Sequence, residues 1–353
     1  MDLNELRKNI DEIDAEVVRL LNLRYEYVQG VGQWMQSTAH EIYVPEREKA
    51  LIEKLYSINE GLLPNKTLKA VYREIMSGAI ALEHPVTIAF LGPENTFSHQ
   101  AAVSKFGHSV KYIPQNSIAD VFEAVEKSNV SYGVVPVENS TEGAVTYTLD
   151  LLAKSSNLIC AELNVAVHHQ LMTLDPNEEI KVIYSHPQAI GQCRTYLHNQ
   201  YPKAAVVEVN STADAARRAS EEKGSAAIAS AMAAESFGLT LLDTDIEDKA
   251  DNVTRFLVIG KQEPKQTGED KTSLVFTLPD RVGSLYDALG ILQKNAINLS
   301  MVESRPTKER KGEYVFFVDF LGHKKDEGIQ KAIADLQGFC SSVKILGSYP
   351  VSI

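Results

Sequence analysis

Residues 248–260 read DKADNVTRFLVIG, and the second half of this stretch predicts a buried β-strand. Four large apolar residues follow one another and a glycine closes the run, as is typical of such strands. Asn252, Thr254 and Arg255 precede the apolar run directly. These amide, hydroxyl and guanidinium groups lie at the start of a buried strand and are candidate functional groups. The rest of the sequence indicates what they bind.

This strand is the last of several apolar runs in residues 86–262, the others being VTIAFLG, YGVVPVEN, KVIYSHP, AAVVEVN and AAIAS. They alternate with helical patterns, which predicts an α/β domain with a mainly parallel sheet. Several runs end in polar groups that we expect to cap the following helix: Asn139-Ser140-Thr141, Ser185-His186 and Asn210-Ser211-Thr212. Helix N-termini also bind anions, and α/β proteins place ligands where such ends converge.

Residues 1–84 predict an all-helical segment. An apolar stripe at spacings of three and four runs through a first helix of about thirty residues, roughly 45 Å long. Two shorter helices, near 46–58 and 65–83, are too short to cover it, so we expect the stripe to pair with a second copy of the chain. Arg24 interrupts the stripe. A guanidinium in an apolar seam is costly without a partner, which favours an anion-binding role over a structural ion pair.

The end of the chain predicts a third domain. Residues 261–271 have the polar composition of a linker. Residues 272–353 then follow the order β-α-β-β-α-β, which is typical of a ferredoxin-like α+β fold.

Charge and cysteine content narrow the classes of function. A formal net charge of −12 over 353 residues argues against nucleic acid, which needs clustered Lys and Arg. No apolar run approaches the ~18 residues of a membrane span. The charged N-terminus lacks an export signal and the three cysteines form no CxxC pair, so we expect a cytoplasmic protein with reduced thiols.

The sequence implies neither a cofactor nor a metal. It contains no phosphate-binding glycine loop and no zinc-protease motif. His168 and His169 are adjacent in an apparent strand and would point to opposite faces, so a shared metal ion is not expected.

The middle segment holds GPENTFSHQAA (92–102), VPVENSTEGAV (135–145), HHQLM (168–172), SHPQAIGQC (185–193) and DNVTRF (251–256). In this order the motifs resemble the prephenate dehydratase family. The resemblance implies loss of CO2 and water from prephenate to give phenylpyruvate, with the threonine of TRF, here Thr254, donating to the leaving hydroxyl. Arg255 would bind a carboxylate of the substrate or brace the loop through a structural salt bridge. Asn95 stands where the family usually has glycine, and we expect it to tolerate the left-handed turn.

The same resemblance implies two lobes like those of a periplasmic binding protein, with substrate in the cleft. The side chains that it places at the substrate are Thr96, Ser98, Asn139, Ser140, Thr141, Ser185, His186, Gln188, Asn252, Arg255 and Phe256.

The helical segment resembles chorismate mutase. The residues that match the family's site are Arg7, Arg24, Arg47, Glu48 and Glu83, and the family's lysine on the long helix falls on Met35. A thioether cannot donate to the breaking ether oxygen, and Val44 replaces a usual charged residue. We therefore expect weak or absent mutase activity; the alternative is a fully bifunctional enzyme.

The last segment resembles an ACT domain. Its effector-binding turns match Gly283, Ser284 and Leu285, and Glu303, Ser304, Arg305 and Pro306. The resemblance implies L-phenylalanine as effector, with a module for oligomerisation alone as the alternative. The domains are then predicted at 1–84, 86–262 and 272–353, in a homodimer or higher homo-oligomer. A non-catalytic sensor of aromatic metabolites is the competing hypothesis, and an intact Thr254 speaks against it.

Overall fold

The structure is a computed structural model that describes residues 2–38, 44–83, 86–307 and 314–352. The side chains of residues 35–38 and 83 lie outside this description. The chain contacts separate into two compact units. One holds the described parts of residues 1–44, 52–86 and 106–111, and the other those of 45–51, 87–105 and 112–353.

The first unit is helical, as predicted. Its helices are α1 (Leu3–Thr38), the second half of α2 (Pro45–Ile58) and α3 (Asn65–Glu83). Tyr25 on α1 donates to the carbonyl of Ile75 on α3 at 3.2 Å. The apolar stripe of α1 remains open to solvent, because its large side chains are more than a third exposed: Leu3, Leu6, Ile10, Ile13, Val17, Leu20, Tyr27, Val31 and Trp34.

The second unit begins with a first lobe built on a mixed sheet. Its strands are β1 (Thr87–Leu91), β2 (Lys111–Gln115), β3 (Tyr132–Asn139), β4 (Gly143–Ala144), β5 (Leu158–Ala166) and β11 (Val253–Gly260). Its helices are α4 (Phe97–Phe106), α5 (Ile118–Glu126) and α6 (Thr146–Lys154). The order is β2-β1-β3-β11-β5, with β1 parallel to β3 and β11 antiparallel to both neighbours. The prediction of a mainly parallel sheet is therefore wrong here, because β11 returns from the second lobe against the direction of β5.

The second lobe also has a mixed sheet, with parallel and antiparallel strand pairs. Its strands are β6 (Gln170–Thr173), β7 (Val182–Ser185), β8 (Ala205–Glu208), β9 (Ser225–Ala229) and β10 (Thr240–Asp243). Its helices are α7 (Pro187–Gln192), α8 (Arg194–Gln200), α9 (Thr212–Glu221) and α10 (Ala231–Phe237). The chain enters through residues 167–169 and leaves through 244–252. These two crossings run side by side, since Val167 donates its N–H to the Asn252 carbonyl at 2.8 Å.

The third sheet has the predicted ferredoxin-like order. Its elements are β12 (Asp270–Thr277), α11 (Ser284–Lys294), β13 (Leu299–Pro306), β14 (Tyr314–Leu321), α12 (Glu327–Phe339) and β15 (Ser342–Pro350). The strands lie in the order β13-β14-β12-β15, all antiparallel. Val275, Phe317, Leu346 and Tyr349 from this sheet belong to the same buried cluster as side chains of the first lobe. The two sheets therefore share one hydrophobic core.

Only part of the capping prediction is confirmed. Ser211 accepts from the Asp214 N–H at 3.0 Å and His186 from the Gln188 N–H at 3.3 Å, so both cap helices. Asn139 does not, because the short strand β4 follows it and α6 begins later without a side-chain cap. Asn95 adopts the expected left-handed backbone, with φ of 67°. Within the described residues, no helix combines the length and apolar character needed to cross a bilayer.

Candidate active site

Asn139 and Thr254 face each other at the ends of two paired strands. They are partners in the antiparallel register of β3 and β11, which brings their side chains onto one face. The Asn139 amide donates to Thr254 Oγ1 at 2.8 Å and to Asn252 Oδ1 at 2.9 Å. Its oxygen accepts the backbone N–H groups of Thr141 and Glu142, at 3.0 and 3.2 Å. Backbone N–H groups can only donate, so they fix which way the amide points.

The orientation of Asn139 determines what Thr254 can do. Thr254 Oγ1 accepts a hydrogen from the Asn139 amide, so the Thr254 hydroxyl hydrogen is not used in this contact. No acceptor for that hydrogen is found within the described part of the chain. Thr254 is 9% exposed. It therefore presents a nearly buried hydroxyl whose hydrogen is free to be donated to a ligand.

The hydrogen-bond chain continues into the second lobe. Asn252 Nδ2 donates to Gln192 Oε1 at 3.0 Å, and His169 Nε2 lies 2.8 Å from the same oxygen. An amide oxygen only accepts, so His169 carries its hydrogen on Nε2. Burial lowers the pKa of His169, which outweighs the opposing effects of Gln192 and Glu247 and keeps the imidazole neutral. Gln192 of the second lobe thus forms hydrogen bonds with both crossings between the lobes, through Asn252 and His169.

A cleft of about 420 Å³ opens beside this network. Both lobes and the returning crossing line it, through Thr141, Glu142, Pro187, Gln188, Gly191, Gln192, Glu247, Asp248, Lys249 and Asn252. Glu247 accepts the His169 N–H at 2.8 Å, and Asp248 accepts the Thr195 N–H at 3.1 Å. Lys249 is exposed, and no ion pair of its ammonium group is found among the residues that the structure describes. It is the cation available to an anionic ligand in this cleft.

A larger opening of about 1030 Å³ lies at the Gly92–Asn95 turn. The Ser236 hydroxyl from the second lobe donates to Asn95 Oδ1 at 3.0 Å and so links the two lobes there. Thr96 uses its hydroxyl within the turn itself, donating to the Pro93 carbonyl at 3.0 Å, and Ser98 is buried on α4. The Thr96 hydroxyl therefore stabilises the turn and Ser98 is buried in this conformation, while their contacts with substrate stay predictions.

Ser140 and Ser185 have structural partners. The Ser140 hydroxyl donates to the Asp251 carbonyl at 3.1 Å and accepts the Val253 N–H at 3.0 Å, which fixes the start of β11. Ser185 is fully buried and donates to the Ile228 carbonyl at 2.7 Å. The expectation that Ser185 faces the cleft is therefore wrong for this conformation.

Phe256 and Arg255 also lie away from the cleft. Phe256 is buried in the core, so it is not an open wall of a ring pocket. Arg255 Nε donates to Glu162 at 2.9 Å, Nη1 lies 2.6 Å from Asp319 Oδ2, and Nη2 donates to the Tyr349 hydroxyl at 3.0 Å. Its donors are therefore directed at protein groups. The structure thus favours the salt-bridge alternative for Arg255 over carboxylate binding.

The residues matched to the mutase site are described only in part. Arg7 and Arg24 lie on α1, and Arg24 Nη1 is buried with no hydrogen-bond partner in the described residues. Arg47 is exposed in the first turn of α2, and Glu48 pairs with Lys105 at 3.0 Å. The side chains of Met35 and Glu83 lie outside the described residues.

The residues matched to the effector site lie on two elements of the third sheet. Gly283 precedes α11 with φ of 84°, and nothing lies within 4 Å of a Cβ placed there. Ser284 donates to the Pro279 carbonyl at 2.7 Å, and Leu285 is exposed. Glu303, Ser304, Arg305 and Pro306 end the edge strand β13. Arg305 Nε lies 3.6 Å from Asp150 on α6 of the first lobe.

Sequence reasoning missed three residues of the site. Gln192 follows Gln188 by four positions in SHPQAIGQC, a spacing that places both on one face of a helix, and this signal was available. His169 stood in the quoted HHQLM motif, but it lies in a crossing and not in a strand. Lys249 had no signal beyond its closeness to Asn252.

Comparison with known proteins accounts for all three segments. The chorismate mutase type II model matches residues 6–84, the prephenate dehydratase model 88–264 and the ACT domain model 272–338. The bifunctional chorismate mutase/prephenate dehydratase of Aquifex aeolicus is 44% identical over all of this chain and 99% of its own length. The chain belongs to the bifunctional chorismate mutase/prephenate dehydratase family.

Other relatives cover the dehydratase and ACT parts alone. The prephenate dehydratase of Methanocaldococcus jannaschii is 39% identical over 73% of this chain and 96% of its own. The crystal structure of the Arthrobacter aurescens prephenate dehydratase in complex with L-Phe shares 36% identity and a TM-score of 0.69, and covers 75% of this chain and 90% of its own. The bifunctional family therefore adds the mutase segment to an arrangement that also occurs without it.

Proposed function

We propose that the Asn139–Asn252–Thr254 network is the dehydratase centre, in which Thr254 donates to the departing hydroxyl of prephenate. The observation that carries this proposal is the direction of one hydrogen bond, from the Asn139 amide to Thr254 Oγ1. This bond leaves the Thr254 hydrogen free, and it also polarises the hydroxyl toward donation.

The reaction needs a donor at the leaving group. The bond between the ring and its carboxylate breaks and releases CO2. Its electron pair completes the aromatic ring and expels the hydroxyl, which takes up a proton and leaves as water. Hydroxide is a poor leaving group, so a hydrogen bond that strengthens as the C–O bond breaks lowers the barrier. The threonine hydroxyl is a weak acid, so its part is a preorganised hydrogen bond while solvent balances the proton.

The cleft also has to hold the two carboxylates of prephenate. Lys249 supplies a positive charge, and the Gln188 amide lines the same cleft. Glu247 and Asp248 are close by, but each accepts backbone N–H groups that offset part of its negative charge. We assign Lys249, rather than Arg255, as the cation that attracts the substrate.

The third sheet is proposed to bind L-phenylalanine as an inhibitor at Gly283 and the end of β13. The support is the ACT match and the L-Phe complex of the Arthrobacter aurescens relative. We further propose a homodimer that buries the exposed stripe of α1, domain limits at 1–84, 86–262 and 272–353, and a cytoplasmic location. Three buried free cysteines fit a reducing compartment.

The mutase segment is proposed to bind chorismate but turn it over slowly. Arg24 Nη1, without a partner among the described residues, suits a carboxylate ligand. Met35 replaces the donor to the ether oxygen, so charge developing there lacks its stabilising group.

One assay tests the proposed function. Purified protein is given prephenate, and phenylpyruvate is followed with and without L-phenylalanine; chorismate is then supplied in place of prephenate. We expect turnover from prephenate that L-phenylalanine inhibits, and little product from chorismate. Binding of prephenate without any phenylpyruvate would instead favour a non-catalytic sensor.

A further inference from the structure

Thr254 and Arg255 are neighbours on β11 that point to opposite faces. Successive side chains of a strand alternate, so Thr254 joins the cleft network while Arg255 enters the space between the first sheet and the third sheet. The two side chains share one stretch of backbone. The two residues are one step of about 3.3 Å apart along the strand, so a displacement of the backbone at Arg255 also moves Thr254.

All four strands of the third sheet reach this ion network. Arg255 contacts Asp319 on β14, Tyr349 on β15 and the sulfur of Met301 on β13. Lys271 on β12 binds Glu162 at 2.7 Å, the same carboxylate that accepts from Arg255. Arg255 is thus the side chain of β11 on which the third sheet converges.

The network is buried and balanced in charge. The Arg255 and Lys271 side chains are 13% and 15% exposed, and those of Glu162 and Asp319 are 3% exposed. Two positive and two negative groups balance formally. Removing one charge from a buried set leaves an uncompensated partner, which costs far more than removing a pair. The four groups therefore act as a unit.

The strand ladder is irregular at this position. The register between β11 and β3 shifts between Arg255 and Phe256, so the ladder to β3 is broken next to Arg255. Pairing with β5 continues without a shift from Val253 to Val258, so β5 and the side-chain contacts of Arg255 together place this part of β11. Other contacts between the same domains hold a different element: Lys344 donates to the Leu152 and Ala153 carbonyls of α6, at 2.9 and 3.0 Å.

We propose that Arg255 is a positioning residue that transmits effector binding in the third sheet to Thr254. Asp319 and Tyr349 hold the guanidinium, so a displacement of the third sheet moves β11 and misplaces the Thr254 hydroxyl. A donor displaced by a fraction of an ångström loses much of its effect on the transition state. This inference rests on the proposed inhibition by L-phenylalanine.

The test removes the charged pair without unbalancing the network. Arg255→Met with Asp319→Leu deletes one charge of each sign and leaves Lys271 with Glu162. Replacing a buried pair by apolar groups of similar size is often neutral for stability. Tyr349→Phe is a milder second variant that removes one bond to Arg255 and one to Ser273, and leaves all four charges in place. Lys344→Met is the matched control, because it removes a partly buried cation from the same domain contact but not from β11.

Four quantities are measured on the full chain: kcat and KM for prephenate, the concentration of L-phenylalanine that halves the rate, and the Kd of L-phenylalanine by calorimetry. In the double variant we expect binding of L-phenylalanine within about twofold of wild type. We expect the ratio of inhibitory concentration to Kd to rise about tenfold or more. Tyr349→Phe is expected to raise this ratio less, and Lys344→Met to leave it unchanged.

A structural role alone would lower stability without changing that ratio. Suppose that L-phenylalanine inhibits wild type and that the double variant folds. The inference is then overturned if either the double variant or Tyr349→Phe keeps the wild-type ratio of inhibitory concentration to Kd. It is also overturned if KM rises in these variants while the ratio stays constant, since that assigns Arg255 to substrate binding. Wild type that neither binds nor responds to L-phenylalanine would overturn the proposed effector function itself.

Discussion

Asn139 illustrates how a single side chain sets the chemistry of its neighbour. Both hydrogens of its amide are donated, to Thr254 and to Asn252, and its oxygen accepts from the loop that follows β3. A serine could not make all of these bonds, because it has one hydrogen to donate. The amide is therefore an orienting group, although the sequence suggested a substrate contact.

Asn139→Asp tests this directional role. The carboxylate can still accept the backbone N–H groups of Thr141 and Glu142, but it has no hydrogen for Thr254. The Thr254 hydroxyl will then donate to the introduced carboxylate and be lost to the substrate. We expect kcat for prephenate to fall about 10²-fold or more, with KM changed much less. Steady-state kinetics measure this, and a kcat within a few-fold of wild type would contradict it.

His169 gives the same network a dependence on pH. Burial lowers its pKa below the ordinary value of 6.5, so the unfolded chain takes up a proton at a pH where the folded chain does not. The free energy of unfolding should therefore decrease as pH falls below about 6.5. His169→Gln keeps a donor for Gln192 without this titration, and we expect a smaller decrease. Denaturant titrations of both proteins between pH 5 and 8 measure the difference; equal slopes would contradict it.

At the scale of elements, β11 shows what the sequence could and could not predict. Its apolar run identified a buried strand, because four consecutive large apolar residues closed by a glycine are typical of such strands. Its antiparallel direction depends on where the chain returns from the second lobe, which no local pattern records. The partners of Arg255 could not be predicted from the sequence either; Tyr349, for example, lies 94 residues away. Hydrogen bonds to distant residues also decided that Ser185 is structural.

Helix α1 carries the prediction at this scale. Its apolar stripe is exposed to solvent along most of the helix. Large exposed apolar patches are rare on monomeric proteins and mark interfaces. Residues 1–84 expressed alone should sediment as a helical dimer, and Ile13→Glu should shift the sample toward monomer by placing a charge in the stripe. Wild-type segment that remains a helical monomer at micromolar concentration would rule out this interface.

At the scale of the whole molecule, the chain joins two reactions that need different electrostatics. The proposed dehydratase site relies on a hydroxyl held by amides, whereas the proposed mutase site relies on guanidinium groups in a molecule of net charge −12. Family membership covers both segments at full length. With Met35 in place of a lysine, the proposed mutase site can bind chorismate but has no donor at position 35 for the ether oxygen.

Chorismate turnover tests this separation. We expect wild-type kcat for chorismate below the ordinary range, under about 1 s⁻¹. Met35→Lys supplies a donor to the ether oxygen and should raise kcat about tenfold or more, while prephenate turnover serves as an unchanged internal control. Wild-type kcat for chorismate already within the ordinary range would show that another group fills the role.

The most direct test of the account is the kcat for prephenate of Thr254→Val beside that of Thr254→Ser. Valine matches the shape of threonine but has no hydroxyl, whereas serine keeps the donor and the bond from Asn139. We predict that Thr254→Val loses about 10²- to 10⁴-fold in kcat and that Thr254→Ser stays within about tenfold of wild type. Thr254→Val with near wild-type turnover would contradict the assignment of Thr254 as the donor to the leaving hydroxyl.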